Sequence, residues 1–133
     1  MNPINIFFDA DYPPALVESI QQIHELQSER IFEVDKWDNS RIEKVGHESS
    51  VFLLIDYKKR GVSEHIIKHV ENGMRIFVCR APGDLDYFEF AMTILRVWPF
   101  IIEKGQEVKE PCCFTFSYGG RKLNRVKLEG HAA

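Results

Sequence analysis

The chain has 133 residues, 44% of them hydrophobic, with an ordinary charged fraction of 28% and a formal net charge of −3. This length and composition suit one domain with one core. The charge lacks the strongly basic balance of a typical nucleic-acid-binding domain, and no stretch approaches the roughly 20 apolar residues that span a bilayer.

Ile4-Asn5-Ile6-Phe7-Phe8 is a short apolar run closed by Asp9-Ala10-Asp11-Tyr12-Pro13-Pro14. It predicts a buried first strand. No basic region precedes it and Asp9 interrupts it, so it does not read as a signal peptide. The prolines suit the first turn of a helix, where a missing N–H costs nothing. Asp9 and Asp11 are therefore expected at the C-terminal end of the strand, the edge where open α/β sheets bind ligands. An Asp before a helix is usually an N-cap. For Asp11 the residues to be capped would be Pro13 and Pro14, which have no N–H to give.

Ala15 to Gln27 carries Leu16, Ile20, Ile23 and Leu26 at helical spacing. Arg30 to Trp37 reads as a second strand, short and near an edge. Asp38-Asn39-Ser40 opens a short helix, in which Ser40-Arg41-Ile42-Glu43 matches a capping box and Gly46 lies near the end. Ser40 is the expected cap, a role it could trade with Asp38. Ser50 to Asp56 holds five consecutive apolar residues and predicts a central parallel strand buried on both faces. Tyr57-Lys58-Lys59-Arg60-Gly61 follows as a basic loop.

Ser63 can cap the next helix, which Asn72-Gly73 closes. Met74 to Cys79 predicts a fourth strand and Arg80 to Asp84 a turn. Leu85 to Glu89 opens a long apolar helix running towards Trp98, with Pro99 expected to end or kink it. Pro111 to Tyr118 is strand-like, Gly119-Gly120 signals a hairpin turn, and Arg121 to Lys127 can return as a second strand. Residues 1–127 are expected to form one domain and 128–133 a disordered tail. Alternating strands and helices imply right-handed crossovers and a mostly parallel sheet.

The cysteines are Cys79, Cys112 and Cys113. Neighbours in a strand face opposite ways, so Cys112 and Cys113 should not pair. With no CxxC motif, a reducing, cytoplasmic setting is expected.

Asp9 and Asp56 end two apolar strands and Asp38 follows a third, so all should reach one sheet edge. Carboxylates converging without a basic partner repel one another, and an oxygen-only ligand set suits Mg²⁺ or Mn²⁺. Such an ion can activate water and stabilise charge on a scissile phosphate. Lys58, Lys59 and Arg60 should rim the acids and contact phosphate. Arg121, Lys122, Arg125 and Lys127 could extend that patch. His65 and His69 stand four apart on one helix, but without a third ligand they read as a solvated face.

Phe7-Phe8-Asp9-Ala10-Asp11, then Asp38 with its short helix, then Val51-Phe52-Leu53-Leu54-Ile55-Asp56 resemble the first strand and acids of PIN-like domains of VapC-type toxins. Phe88 to Trp98 resembles their late helix. Cys113-Phe114-Thr115-Phe116 through Gly120-Arg121-Lys122-Leu123 resembles the closing hairpin of one group of them. The resemblance implies a three-layer α/β PIN-like domain with a mostly parallel central sheet and a C-terminal β-hairpin. It implies a metal-dependent endoribonuclease, the toxin of a toxin–antitoxin pair, with Asp9, Asp38 and Asp56 on the ion and Asp11 as a further ligand or water-orienting group. RNA, an antitoxin and a second copy of the chain would be its partners. The pattern departs at Ile55, where a small hydroxyl residue is expected. Asp84, Asp86 and Glu89 are the candidates for a fourth acid.

The alternatives are a catalytically silent PIN-like binding module and a receiver-like phosphoacceptor domain. In a receiver, Asp56 would accept phosphate and Asp9 or Asp11 would hold Mg²⁺. That reading needs a Ser or Thr after the fourth strand, where Cys79-Arg80-Ala81 stands, and a lysine ending a fifth strand, for which Lys104 is the candidate.

Overall fold

The computed structural model describes residues 3–27, 31–58 and 60–128. In chain order these form β1 (Ile4–Phe8), α1 (Pro14–Gln27), β2 (Ile31–Lys36), α2 (Asn39–Val45), a 3₁₀ turn (His47–Ser49), β3 (Ser50–Asp56), α3 (Glu64–Glu71), β4 (Arg75–Arg80), α4 (Tyr87–Glu107), β5 (Cys112–Ser117) and β6 (Asn124–Arg125). The sheet order is β2-β1-β3-β4-β5-β6. Neighbouring strands from β2 to β5 pair in parallel, and the short β6 runs antiparallel to β5. As expected, β2 lies at an edge, and β3 is central and buried along its whole length.

The sheet divides the core in two. Ile4, Ile6 and Phe8 of β1 face α1 and α4, whereas Phe7 faces the side covered by α2 and α3. Cys112 and Cys113 go to opposite faces, and all three cysteines are free and buried, as strand alternation predicts. Both faces are covered, which gives a three-layer α/β arrangement.

One crossover departs from the expected hand. The steps β3 to β4 and β4 to β5 advance in the same direction across the sheet, yet α3 packs on one face and α4 on the other. These two units must therefore have opposite hands. The α1 unit steps the other way over the face of α4, so it shares its hand with the α2 and α3 units. The β4-α4-β5 unit is thus opposite in hand to the other three, and the strong right-handed preference makes it the exception. The apolar face left beside α1 accounts for it. The 21-residue α4 covers β1 and β3 there, with Trp98 stacked on Phe8 at 5.8 Å. At Gly105 a Cβ atom would come within 2.8 Å of the Ile4 side chain, so a glycine allows this close approach.

Pro99 neither ends nor breaks α4, which continues to Glu107. Burial of Ile101 and Gln106 beyond the proline outweighs the lost hydrogen bond. At the far end, the buried Arg75 guanidinium donates to the carbonyls of Gly105, Val108 and Glu48. It thereby ties the C-terminus of α4 and the 3₁₀ turn to the start of β4, with a positive charge where the helix dipole is negative. No helix among the described residues is long and apolar enough to cross a membrane. Of the expected tail, residues 129–133 lie outside those described.

Candidate functional site

The loops after β1, β2 and β3 meet at the C-terminal edge of the sheet. Asp9 N–H donates to Leu53 O at 2.9 Å, and Trp37 N–H donates to Phe8 O at 2.8 Å. The Tyr12 hydroxyl, fully buried beneath the first loop, donates to Leu54 O. Lys36 Nζ donates to the carbonyls of Asp9 and Tyr12. Burial lowers the pKa of Lys36, and the nearby charges of Asp9 and Asp11 oppose that shift. Asp9 and Lys36 are partly exposed, while Asp11 is exposed.

The expected acids do different work. Asp9 Oδ1 accepts the neighbouring Ala10 N–H at 2.8 Å, and no partner takes its other oxygen among the described residues. Asp38 is the N-cap of α2, accepting Ser40 N–H at 2.9 Å, and it too keeps one oxygen. This corrects the expected capping box. The helix starts at Asn39, one residue before Ser40, so Ser40 receives a cap and does not supply it. Asp56 is buried and accepts three hydrogen bonds, from Lys58 N–H, Ser63 N–H and the Ser63 hydroxyl. Burial pushes its carboxyl up, but the Ser63 hydroxyl, the two N–H groups and the nearby Arg80 charge outweigh burial and hold it below the ordinary carboxylate range. Ser63 sits at the N-cap position of α3 but makes no side-chain capping bond; its hydroxyl is turned to donate to Asp56. Asp86 caps α4 through Phe88 and Glu89 N–H.

The basic residues are similarly divided. Lys58 and Arg60 are exposed in the loop after β3, and Lys59 lies outside the described residues. Arg80 donates to the carbonyls of Gly61 and Lys58, bracing that loop from β4. Arg125 pairs with Glu110 at 3.0 Å and lies over the Phe114 ring.

Beside Asp9 opens a cleft of about 340 Å³, lined also by Trp37, Asn39, His65 and His69. Its Trp37, His69 and His65 rings form a series anchored on the buried Phe52. Phe52 and Trp37 centroids are 4.9 Å apart, Trp37 and His69 5.5 Å, and His69 and His65 6.3 Å. Burial and the adjacent His65 lower the pKa of His69, and Asp9 partly offsets the shift. The pairing of His65 with His69 was legible as spacing, but their place beside Asp9 and Trp37 was not. Of the expected acids, Asp9 alone lines this cleft, while Asp38 stands between its wall residues Trp37 and Asn39.

For a divalent ion the fit is limited to part of the expected set. Asp9 and Asp38 each retain an oxygen, and a small hard cation can bind through one or two carboxylates while keeping waters. Asp56 has both oxygens engaged. Among the described residues, no three His, Cys, Asp or Glu side chains are grouped to hold an ion. In comparisons with known proteins, no family model matches the chain, and neither a curated protein nor a solved structure matches it.

Proposed function

We propose that the chain is a PIN-like endoribonuclease that binds single-stranded RNA at the C-terminal edge of the sheet and hydrolyses a phosphodiester bond beside Asp9, using Mg²⁺ or Mn²⁺. The observation that carries this reading is the open Asp9 carboxylate in a ring-walled cleft where three strand loops meet. Asp9 and Asp38 would hold the ion, with Asp11 beside them. When bound, the ion would polarise the phosphate and lower the pKa of a water. Lys58 and Arg60 would bind flanking phosphates, giving salt-dependent affinity. Asp56 would act as a positioning residue that fixes the Lys58 loop. The resemblance to VapC-type toxins extends the reading to a cytoplasmic toxin with an antitoxin partner and self-association.

The test is cleavage of a mixed RNA pool with Mn²⁺, with EDTA, and by Asp9→Asn and Asp38→Asn variants. Asn caps a helix as well as Asp does, so Asp38→Asn removes charge without removing the cap. Metal-dependent cleavage lost in both folded variants would support the reading. No cleavage, with no Mn²⁺ uptake by calorimetry, would overturn it and leave an RNA-binding or silent module.

One observation favours a second reading. The order β2-β1-β3-β4-β5 is that of flavodoxin-like and receiver domains. Against a phosphoacceptor role, Asp56 is closed off by three donors, Arg80-Ala81 follows β4 where a hydroxyl residue is needed, and β5 ends at Ser117 without a lysine. Lys104 lies within α4. Phosphorylation of Asp56 by acetyl phosphate in Mg²⁺ would reinstate that reading.

A further inference from the structure

We propose that the cleft beside Asp9 is a subsite for one unstacked RNA base, in which Asn39 favours uracil over adenine. The inference rests on the ribonuclease reading for its ligand class and adds the group that selects the base.

The argument begins with the Trp37 indole. Its Nε1–H donates to Asn39 Oδ1 at 2.9 Å. An indole nitrogen can only donate, so it requires the oxygen of the Asn39 amide to face it. The amide nitrogen is then left as a donor, with no partner among the described residues. Asn39 also lines the cleft. The selective group of the wall is thus a fixed donor, which matches a base carbonyl. Uracil has two such oxygens. Adenine has no carbonyl and offers only ring nitrogens, of which N1 and N7 sit beside the exocyclic amine, a second donor facing the Asn39 amine.

The rest of the cleft suits a flat aromatic ligand. Trp37 and His69 belong to the ring series anchored on the buried Phe52. Aromatic and imidazole rings are what single-stranded RNA bases stack upon. Asp9 shares the cleft, so a base seated there would have its own phosphate next to the proposed scissile position.

The experiment measures binding of oligouridylate and oligoadenylate of equal length by fluorescence anisotropy, in EDTA so that no turnover occurs. The wild type should bind the uridylate more tightly by about three- to tenfold, the worth of one hydrogen bond. Asn39→Asp keeps an acceptor for Trp37, places an acid at the start of α2 where the helix tolerates it, and turns the free donor into an acceptor. Its uridylate preference should vanish or reverse. His69→Ala should weaken both oligomers alike. Equal wild-type affinities, no binding of either, or an unchanged ratio in Asn39→Asp would overturn the inference. The nuclease reading fails separately: cleavage without base preference would sink this inference alone, and base preference without cleavage would sink the nuclease alone.

Discussion

The Ser63 hydroxyl donates to Asp56 Oδ1 at 2.7 Å while the Ser63 N–H donates to Oδ2 at 3.1 Å. One residue thus grips both oxygens of the acid that ends β3 and closes the loop that carries Lys58 and Arg60. An aspartate at the end of a buried strand is costly unless its charge is met by donors, and here the donors come from its own loop.

This relation predicts a pH-dependent cost for Asp56→Asn. The amide cannot accept at both ends, so one partly buried N–H loses its partner, at about 1 kcal/mol. The Asp56 carboxyl is held below its ordinary value. Its contribution is therefore fully present above the unfolded pKa, near 4, and is lost as pH falls through the lower folded value. Urea denaturation at pH 7 should show the variant destabilised, and the gap should narrow below about pH 4. A gap independent of pH would mean that the charge at Asp56 does not contribute to it.

A second prediction concerns Arg75, which is 1% exposed and has three carbonyl partners. Arg75→Met removes the donors from one buried and two partly buried carbonyls and should cost roughly 2 kcal/mol or more. Arg75→Lys should recover little of that loss, since one ammonium cannot reproduce the planar fork. Chemical denaturation measures both. Near-wild-type stability in Arg75→Met would show that water replaces the guanidinium at the end of α4.

A third prediction uses His69 to report on the cleft. Burial and His65 lower its pKa, and Asp9 raises it. By NMR titration His69 should therefore ionise below the ordinary histidine value, and Asp9→Asn should lower it further. His65→Gln should move it back up. Because the folded pKa is depressed, the neutral imidazole is the form favoured by folding. Stability linked to His69 is present above about pH 6.5, the ordinary value, and declines as pH falls through that region. A His69 pKa unmoved by Asp9→Asn would separate the two residues electrostatically and weaken the case for a shared site.

The alternation of strands and helices is written locally in the chain, because apolar runs and helical spacing need no distant partner. The same local pattern placed Asp9 and Asp56 at strand ends and sent Cys112 and Cys113 to opposite faces, because period-two alternation needs no partner to be read. The tertiary structure decided what those residues do. Whether Asp56 is open or satisfied depends on Ser63 returning to it across a loop. Whether Pro99 breaks α4 depends on the apolar face beneath the helix. The cleft unites the loop after β1, the β2–α2 junction, β3 and α3, and the odd hand of the last crossover follows from which sheet face remained uncovered. Spacing along a chain fixes which side of its own element a residue occupies, but only packing fixes which other element it meets.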